Sequence, residues 1–211
     1  MIAVINYGLS NLLSIKRAVD LYTHEAEIIS NPDDLQKADK IILPGVGSFQ
    51  YGIQCLNRLG LGDVVINKAR VGIPILGICL GMQMLFDEGD EGGTCEGLKL
   101  IPGRVEKIPM EDIKGNRQDV PHVGWEKLAV NEKAFRTDDR LKNILDGQEF
   151  YFVHSYEAKT THEEHYVAGI NYGGRFVCGV AKKDNVIGCQ FHPEKSGSAG
   201  LKLIQHFICS L

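Results

Sequence analysis

The stretch GIPILGICLGMQMLF, residues 72–86, opens on a wholly apolar run, sets a cysteine between two glycines and leaves in a helix-like pattern. Residues 72–78 are too few for a buried helix and rich in isoleucine, so they read as a central parallel strand, with 80–86 continuing as helix. A strand that turns sharply at Cys79 and leaves as a helix places the thiol at the carboxyl edge of a sheet. Gly77 and Gly81 remove the side chains that would clash in so tight a bend. Unpaired amides and the helix dipole there favour a thiolate and can hold an oxyanion. The competing reading is a small, inert core thiol, and a chemical partner elsewhere in the chain decides between them.

Upstream, short β-branched runs alternate with amphipathic segments. IAVIN (2–6) reads as a buried strand, and the apolar residues of NLLSIKRAVDLY fall at helical spacing with Lys16, Arg17 and Asp20 outward. EIIS (27–30), NPDDLQKA with its Asn-Pro start signal, and KIILPG (40–45) repeat the alternation before a helix at 49–59. Repeated β-α steps predict a parallel sheet covered by helices. Downstream, the Gly- and acid-rich residues 87–97 read as a loop. RVEKI, EFYFVHSYEA, HYVAGINY, RFVCGVAK and NVIGCQF then read as strands joined by turns such as YGG and KDN, an added antiparallel or mixed region. SAGLKLIQHFICSL closes the chain as an amphipathic helix.

At 211 residues the chain suits one well-cored domain, residues 1–211. Its net charge of −4 is spread, with no basic stripe to follow a phosphate backbone, so nucleic acid is not an expected partner. Met1 runs straight into a strand pattern, and no apolar run approaches the ~20 residues that span a bilayer. The expectation is a soluble cytoplasmic protein without a membrane partner. Six cysteines with no CxxC pair predict reduced thiols and neither a disulfide frame nor a zinc site. Nothing in the pattern calls for a metal or an organic cofactor.

The partner for Cys79 lies far along the chain in VIGCQFHPEKS. A strand predicted to end at Phe191 releases His192, which can take and return a proton near neutral pH. Glu194 falls on the same side of an extended chain, within reach of the imidazole. Together they propose a Cys79-His192-Glu194 triad. PGVGSFQ (44–50), also at a strand end, has two glycines that permit a peptide flip, and its amides could meet an oxyanion. As a dinucleotide or phosphate loop it fails, because Gln50 stands where GxGxxG needs glycine.

PGVGSF, GICLGMQ and FHPEKS, in this order and separation, resemble the class I (triad) glutamine amidotransferases over essentially the whole chain. The resemblance implies an α/β fold, a central mostly parallel sheet flanked by helices with an added antiparallel or mixed strand region, of flavodoxin-like character. It implies hydrolysis of glutamine to glutamate and ammonia, with catalytic Cys79, His192 and Glu194. An oxyanion hole from the backbone of Val46, Gly47 and Leu80, and glutamine-binding positions at Gln83, Glu91, Ser155 and Tyr156, are implied too.

NYGLSNLLSI, PHVGW, YFVHSY and HPEKS with SAGL are similar to the branch that supplies ammonia for imidazole glycerol phosphate synthesis in histidine biosynthesis. That branch implies a separate (β/α)8-barrel cyclase as heterodimer partner, with Asn11, His122, Trp125, Tyr151 and Lys195 at or near the interface. Ser10, Glu126 and Gly197 depart from the branch's usual glycine, asparagine and glutamine. Close relatives supply ammonia to sugar amidotransferases in surface-polysaccharide pathways, the alternative reading. A stand-alone cysteine hydrolase and a non-catalytic scaffold are weaker ones.

Overall fold

A computed structural model describes residues 1–135 and 139–210. The first half runs β1 (Ile2–Ile5), α1 (Leu12–Asp20), β2 (Ala26–Ile29), α2 (Pro32–Leu35), β3 (Lys40–Gly45), α3 (Phe49–Arg58), α4 (Leu61–Arg70), β4 (Ile75–Cys79) and α5 (Leu80–Met84). The second half begins with β5 (Phe86–Gly89), β6 (Cys95–Glu96), β7 (Ile101–Lys107), β8 (His122–Lys127), β9 (Ala129–Val130) and α6 (Asp139–Leu145). It continues through β10 (Glu149–His154), β11 (Tyr156–Thr160), β12 (Tyr166–Tyr172), β13 (Arg175–Lys183), β14 (Val186–Cys189) and α7 (Gly197–Ser210).

The main sheet has eight strands in the order β2-β1-β3-β4-β14-β13-β12-β9. The five from β2 to β14 are parallel to their neighbours, and β13, β12 and β9 extend the same sheet antiparallel. A four-stranded sheet, β11-β7-β5-β6, and a β10-β8 pair complete the molecule. The continuous apolar runs follow from this layering. Ala3, Ile5, Ile41 and Leu43 feed a core shared with α3 and α4, while Ile2, Val4 and Ile42 alternate into a second core with α1 and α7. A strand covered on both faces must be apolar at every position.

The α/β fold is as expected, and the differences are local. Helix α4 was not read from the sequence. The helix expected to reach Phe86 stops at Met84, because Phe86 enters β5 beside Ile101. The acid-rich segment read as a loop pairs Glu88 and Gly89 with Glu96 and Cys95. EFYFVHSYEA is two strands on different sheets, broken at Ser155. PHVGW, unassigned from pattern, contributes β8. The last strand ends at Cys189 rather than Phe191. Leu211, the final residue of the expected closing helix, lies outside the described residues. No described helix is long and apolar enough to cross a membrane.

Candidate active site

The parallel strands deliver three segments to one edge of the main sheet. Gly45, ending β3, is the direct partner of Cys79, ending β4, and β14 on the other side of β4 leads into residues 190–194. Carboxyl edges of parallel strands are where open α/β sheets form their crevices.

Cys79 stands at φ +54°, ψ −112°, the residue between β4 and α5. A non-glycine residue there costs on the order of 1–3 kcal/mol, which the packing around the elbow must hold in place. Close packing supplies that. A Cβ at Gly81 would sit 1.8 Å from the Leu43 carbonyl oxygen, and one at Gly77 would meet the Gly81 carbonyl and Met82 amide at 2.8 Å. Gly81→Ala is therefore expected to destabilise the fold by ~2 kcal/mol or more, because the obstacle is backbone rather than a movable side chain. Chemical denaturation measures this, and an unchanged midpoint would contradict the elbow packing.

His192 follows β14 and leads into the 3-10 turn Pro193–Lys195. Its Nδ1 lies 2.9 Å from Glu194 Oε1, with both side chains buried. Glu194 Oε2 is buried with no hydrogen-bond partner among the described residues. Burial is the largest influence on His192 and by itself would lower its pKa. Hydrogen bonds to Cys79 and Glu194 and the attraction of both groups outweigh it, and the imidazole is pushed up to about 9. At neutral pH the histidine next to the sulfur is therefore an imidazolium, held at Nδ1 by a carboxylate. The structure brings the three expected residues together, His192 hydrogen-bonded to Glu194 and close enough to Cys79 to be raised by it.

A cleft of about 310 Å³ opens over the sulfur, lined by Val46, Gly47, Cys79, Leu80, Gln83 and Glu91 on one side and by Pro121, Val153–Tyr156 and His192 on the other. All the expected oxyanion and substrate-binding positions lie on it. Leu80 is the first residue of α5, so its N–H has no partner within the helix. The Val46 N–H is different: it donates to the Leu9 carbonyl at 2.7 Å and is unavailable to the cleft in this arrangement. Gly47, at φ +108°, gives the turn the backbone freedom that the sequence suggested.

Glu91 crosses from the β5-β6 connection to accept the Phe49 N–H at 2.7 Å, capping α3, whose own N-cap Ser48 makes no side-chain bond. The Tyr156 hydroxyl is raised above its ordinary value by burial and then by Glu91 and Asp90. Gln83 Nε2 donates to the Tyr156 carbonyl at 3.2 Å and to Gln190 Oε1 at 3.0 Å. Gln190 Nε2 in turn donates to Cys79 Sγ at 3.8 Å. Gln190 is a site residue the sequence reading missed. The signal was available, since 190, 192 and 194 alternate onto one side of an extended chain.

Of the expected interface residues, Trp125 is 54% exposed, and its ring lies 5.9 Å from that of Tyr151, its cross-strand partner. Tyr151 is tied to the triad turn: its carbonyl accepts from the His192 N–H, and its N–H donates to Ser196 Oγ. Lys195 and Asn11 are exposed. His122 is a correction, because it is buried rather than presented on that face. Of the departures, Gly197 takes φ +58°, which glycine adopts without strain, and Ser10 Oγ is buried with no hydrogen-bond partner among the described residues.

A family model described as glutamine amidotransferase class-I matches residues 3–211. The chain is similar to imidazole glycerol phosphate synthase subunit HisH 1 of Legionella pneumophila (strain Paris), 39% identical over 98% of each chain. It is also similar to subunit HisH of Geobacillus sp. (strain WCH70), 43% identical over 98% of this chain and 95% of the relative. Subunit HisH of Caldanaerobacter subterraneus subsp. tengcongensis is 41% identical over 98% and 97%. Among solved structures, a glutamine amidotransferase crystal structure superposes with TM-score 0.72 at 18% identity, covering 98% of this chain and 96% of that one. PurLQS from Thermotoga maritima gives TM-score 0.67 at 19% identity, covering 98% and 96%. At those identities the structural likeness speaks for the fold alone.

Proposed function

The chain belongs to the class I glutamine amidotransferase family, and on that basis we propose that it is the glutaminase subunit of an imidazole glycerol phosphate synthase, one amidotransferase domain working in the cytoplasm. The observation that carries the chemistry is the buried Cys79-His192-Glu194 chain opening on a cleft. Likeness to HisH subunits over nearly the full length of both chains supports the pathway.

Cys79 Sγ attacks the side-chain amide carbon of glutamine, and the carbonyl π electrons move onto oxygen. His192 passes a proton to the departing nitrogen, so the C–N bond breaks and ammonia leaves a thioester behind. Water, deprotonated by His192, then attacks the thioester and releases glutamate and the cysteine. Gln190 and Gln83 hold the sulfur and the Tyr156 side of the cleft in register. Glu91 takes the α-ammonium group, and the Ser155–Tyr156 segment takes the α-carboxylate. The Leu80 amide supplies one oxyanion donor.

A second donor from the Val46–Gly47 segment requires that segment to rearrange, since the Val46 N–H is committed to Leu9. A missing donor costs ~10²–10³ in rate, so the isolated chain is expected to be a slow glutaminase. The partner is a separate (β/α)8-barrel cyclase, docked over Trp125, Tyr151, Lys195 and Asn11.

The test is glutamate release by the purified chain, alone and with a cyclase of the same source plus its ribonucleotide substrate. Stimulation of ~10²-fold or more is expected. Glutamine hydrolysis that a cyclase leaves unstimulated would transfer the partner to a sugar amidotransferase, and free, unregulated hydrolysis would favour a stand-alone amidase.

A further inference from the structure

The loop that leaves β1 carries two hydroxyls buried with no hydrogen-bond partner among the described residues, Tyr7 Oη and Ser10 Oγ. Tyr7 is 3% exposed and packs in the core shared with α3 and α4. Phenylalanine would fill that core equally well and would spare the fold a hydroxyl stripped of water. A buried polar atom left idle in one arrangement of a protein needs a physical reason. The surroundings of Tyr7 Oη supply one.

The hydroxyl occupies the space that Gly45 leaves by having no side chain. A Cβ on Gly45 would sit 2.2 Å from Tyr7 Oη, nearer than Leu80 Cβ at 2.9 Å or the Gly81 amide nitrogen at 3.1 Å. Gly45 also contributes the carbonyl of the peptide whose N–H belongs to Val46. That N–H is held by the carbonyl of Leu9, from the same loop as Tyr7.

A trans peptide is planar, with its N–H and C=O pointing in opposite directions. Turning the Val46 N–H into the cleft therefore swings the Gly45 carbonyl round to the Leu9 side. There it meets another carbonyl, and two acceptors make no bond. A buried carbonyl without a donor costs about as much as a lost hydrogen bond. The donor at hand is Tyr7 Oη, beside the Cα that bears the turning carbonyl. Burial first, then Cys79 and Cys55, push the Tyr7 hydroxyl well above its ordinary value, so it keeps its proton and donates.

We infer that Tyr7 is a positioning residue for glutamine hydrolysis: its hydroxyl, idle while Leu9 holds the Val46 N–H, receives the Gly45 carbonyl when that peptide turns, and so stabilises the state in which Val46 is the second oxyanion donor. The inference rests on the glutaminase reading and deepens it. Tyr7 is not among the residues that line the cleft, so it acts on the rate and not on glutamine binding. Its hydroxyl is unpartnered in one arrangement and bonded in the other, which biases the peptide toward turning.

The experiment compares wild type, Y7F and S10A in glutamate release from glutamine, by the isolated chain and by its complex with the cyclase, with a thermal melt of each. The isolated chain draws its activity from the small turned population. Y7F is expected to lower its kcat ~10-fold, equivalent to about 1.4 kcal/mol or one hydrogen bond, with KM for glutamine unchanged. Tm should hold or rise, because the resting fold loses an unpartnered hydroxyl. In the complex the loss should be no larger. S10A removes the loop's other idle hydroxyl and should keep the wild-type kcat. Wild-type kcat in Y7F overturns the inference. So does a Tm that falls with kcat, which makes Tyr7 a packing residue, and so do equal losses in Y7F and S10A, which assign the effect to the loop at large. In those cases Cys79-dependent hydrolysis stands, and the isolated-chain measurement needs no partner. A wild-type chain that releases no glutamate, alone or in the complex, overturns the glutaminase reading itself and the inference with it.

Discussion

Cys79→Ala is expected to abolish glutamate release from glutamine, a loss of ~10⁴-fold or more, with the melting temperature nearly unchanged. The two halves of that expectation have separate causes. In the proposed mechanism the sulfur is the atom that bonds to the amide carbon, and among the described residues no other nucleophilic side chain in the cleft receives a hydrogen bond from Gln190 and lies beside His192. What remains after its removal is binding and oxyanion stabilisation, which in triad enzymes leave only a small residue of catalysis. The fold survives because alanine removes atoms at the rim of a cleft and leaves the neighbouring backbone packing in place. Single-turnover glutamate release and a thermal melt, run on the same preparation, measure both halves. Activity within ~10-fold of wild type would remove Cys79 from the chemistry. A melt that collapses with the activity would make the thiol a core residue after all.

The elbow was legible because everything that makes it is local. Apolar run, Gly77, Cys79 and Gly81 specify the strand, the bend and the close packing within ten residues, and β3 was read with its observed bounds for the same reason. Other features are fixed by partners distant in sequence. An alternating pattern says which face of EFYFVHSYEA is buried but not that the chain changes sheets at Ser155. Glu91 is singled out among the acids of its glycine-rich loop only by the resemblance, and only the fold brings it to the Phe49 N–H. His122 is placed at or near the partner face by the resemblance alone, and the strand then turns it inward while Val123 and Trp125 alternate outward. The orientation of the Val46 peptide leaves no trace in side-chain pattern, because a glycine-flanked peptide accommodates either sense.

Glu194→Gln is expected to lower kcat ~10²–10⁴-fold and to move the alkaline limb of the pH profile to lower pH. In the proposed mechanism His192 must arrive at the tetrahedral intermediate protonated, since it supplies the proton that ammonia carries away. In the wild type its pKa is about 9, so activity controlled by this acid should persist through neutral pH and fall as pH rises through about 9. Burial alone would push the imidazole the other way, and Glu194 is one of the two groups that reverse it. Its carboxylate is buried, with Oε2 unpartnered among the described residues, so its charge is screened little by water. Glutamine fills the same volume and can still accept from Nδ1, but it brings no charge. The imidazolium then weakens and the limb moves toward the ordinary histidine range.

The same shift has a thermodynamic consequence of definite sign. A folded pKa above the unfolded ~6.5 stabilises the protein fully below that value, and the contribution is lost as pH climbs to about 9. Wild-type stability relative to E194Q should therefore decline across that window, and denaturant melts at stepped pH read the difference directly. If the alkaline limb stays where it is in E194Q while kcat falls, Glu194 orients the imidazole without charging it, and the proton delivered to ammonia owes its availability to the cysteine.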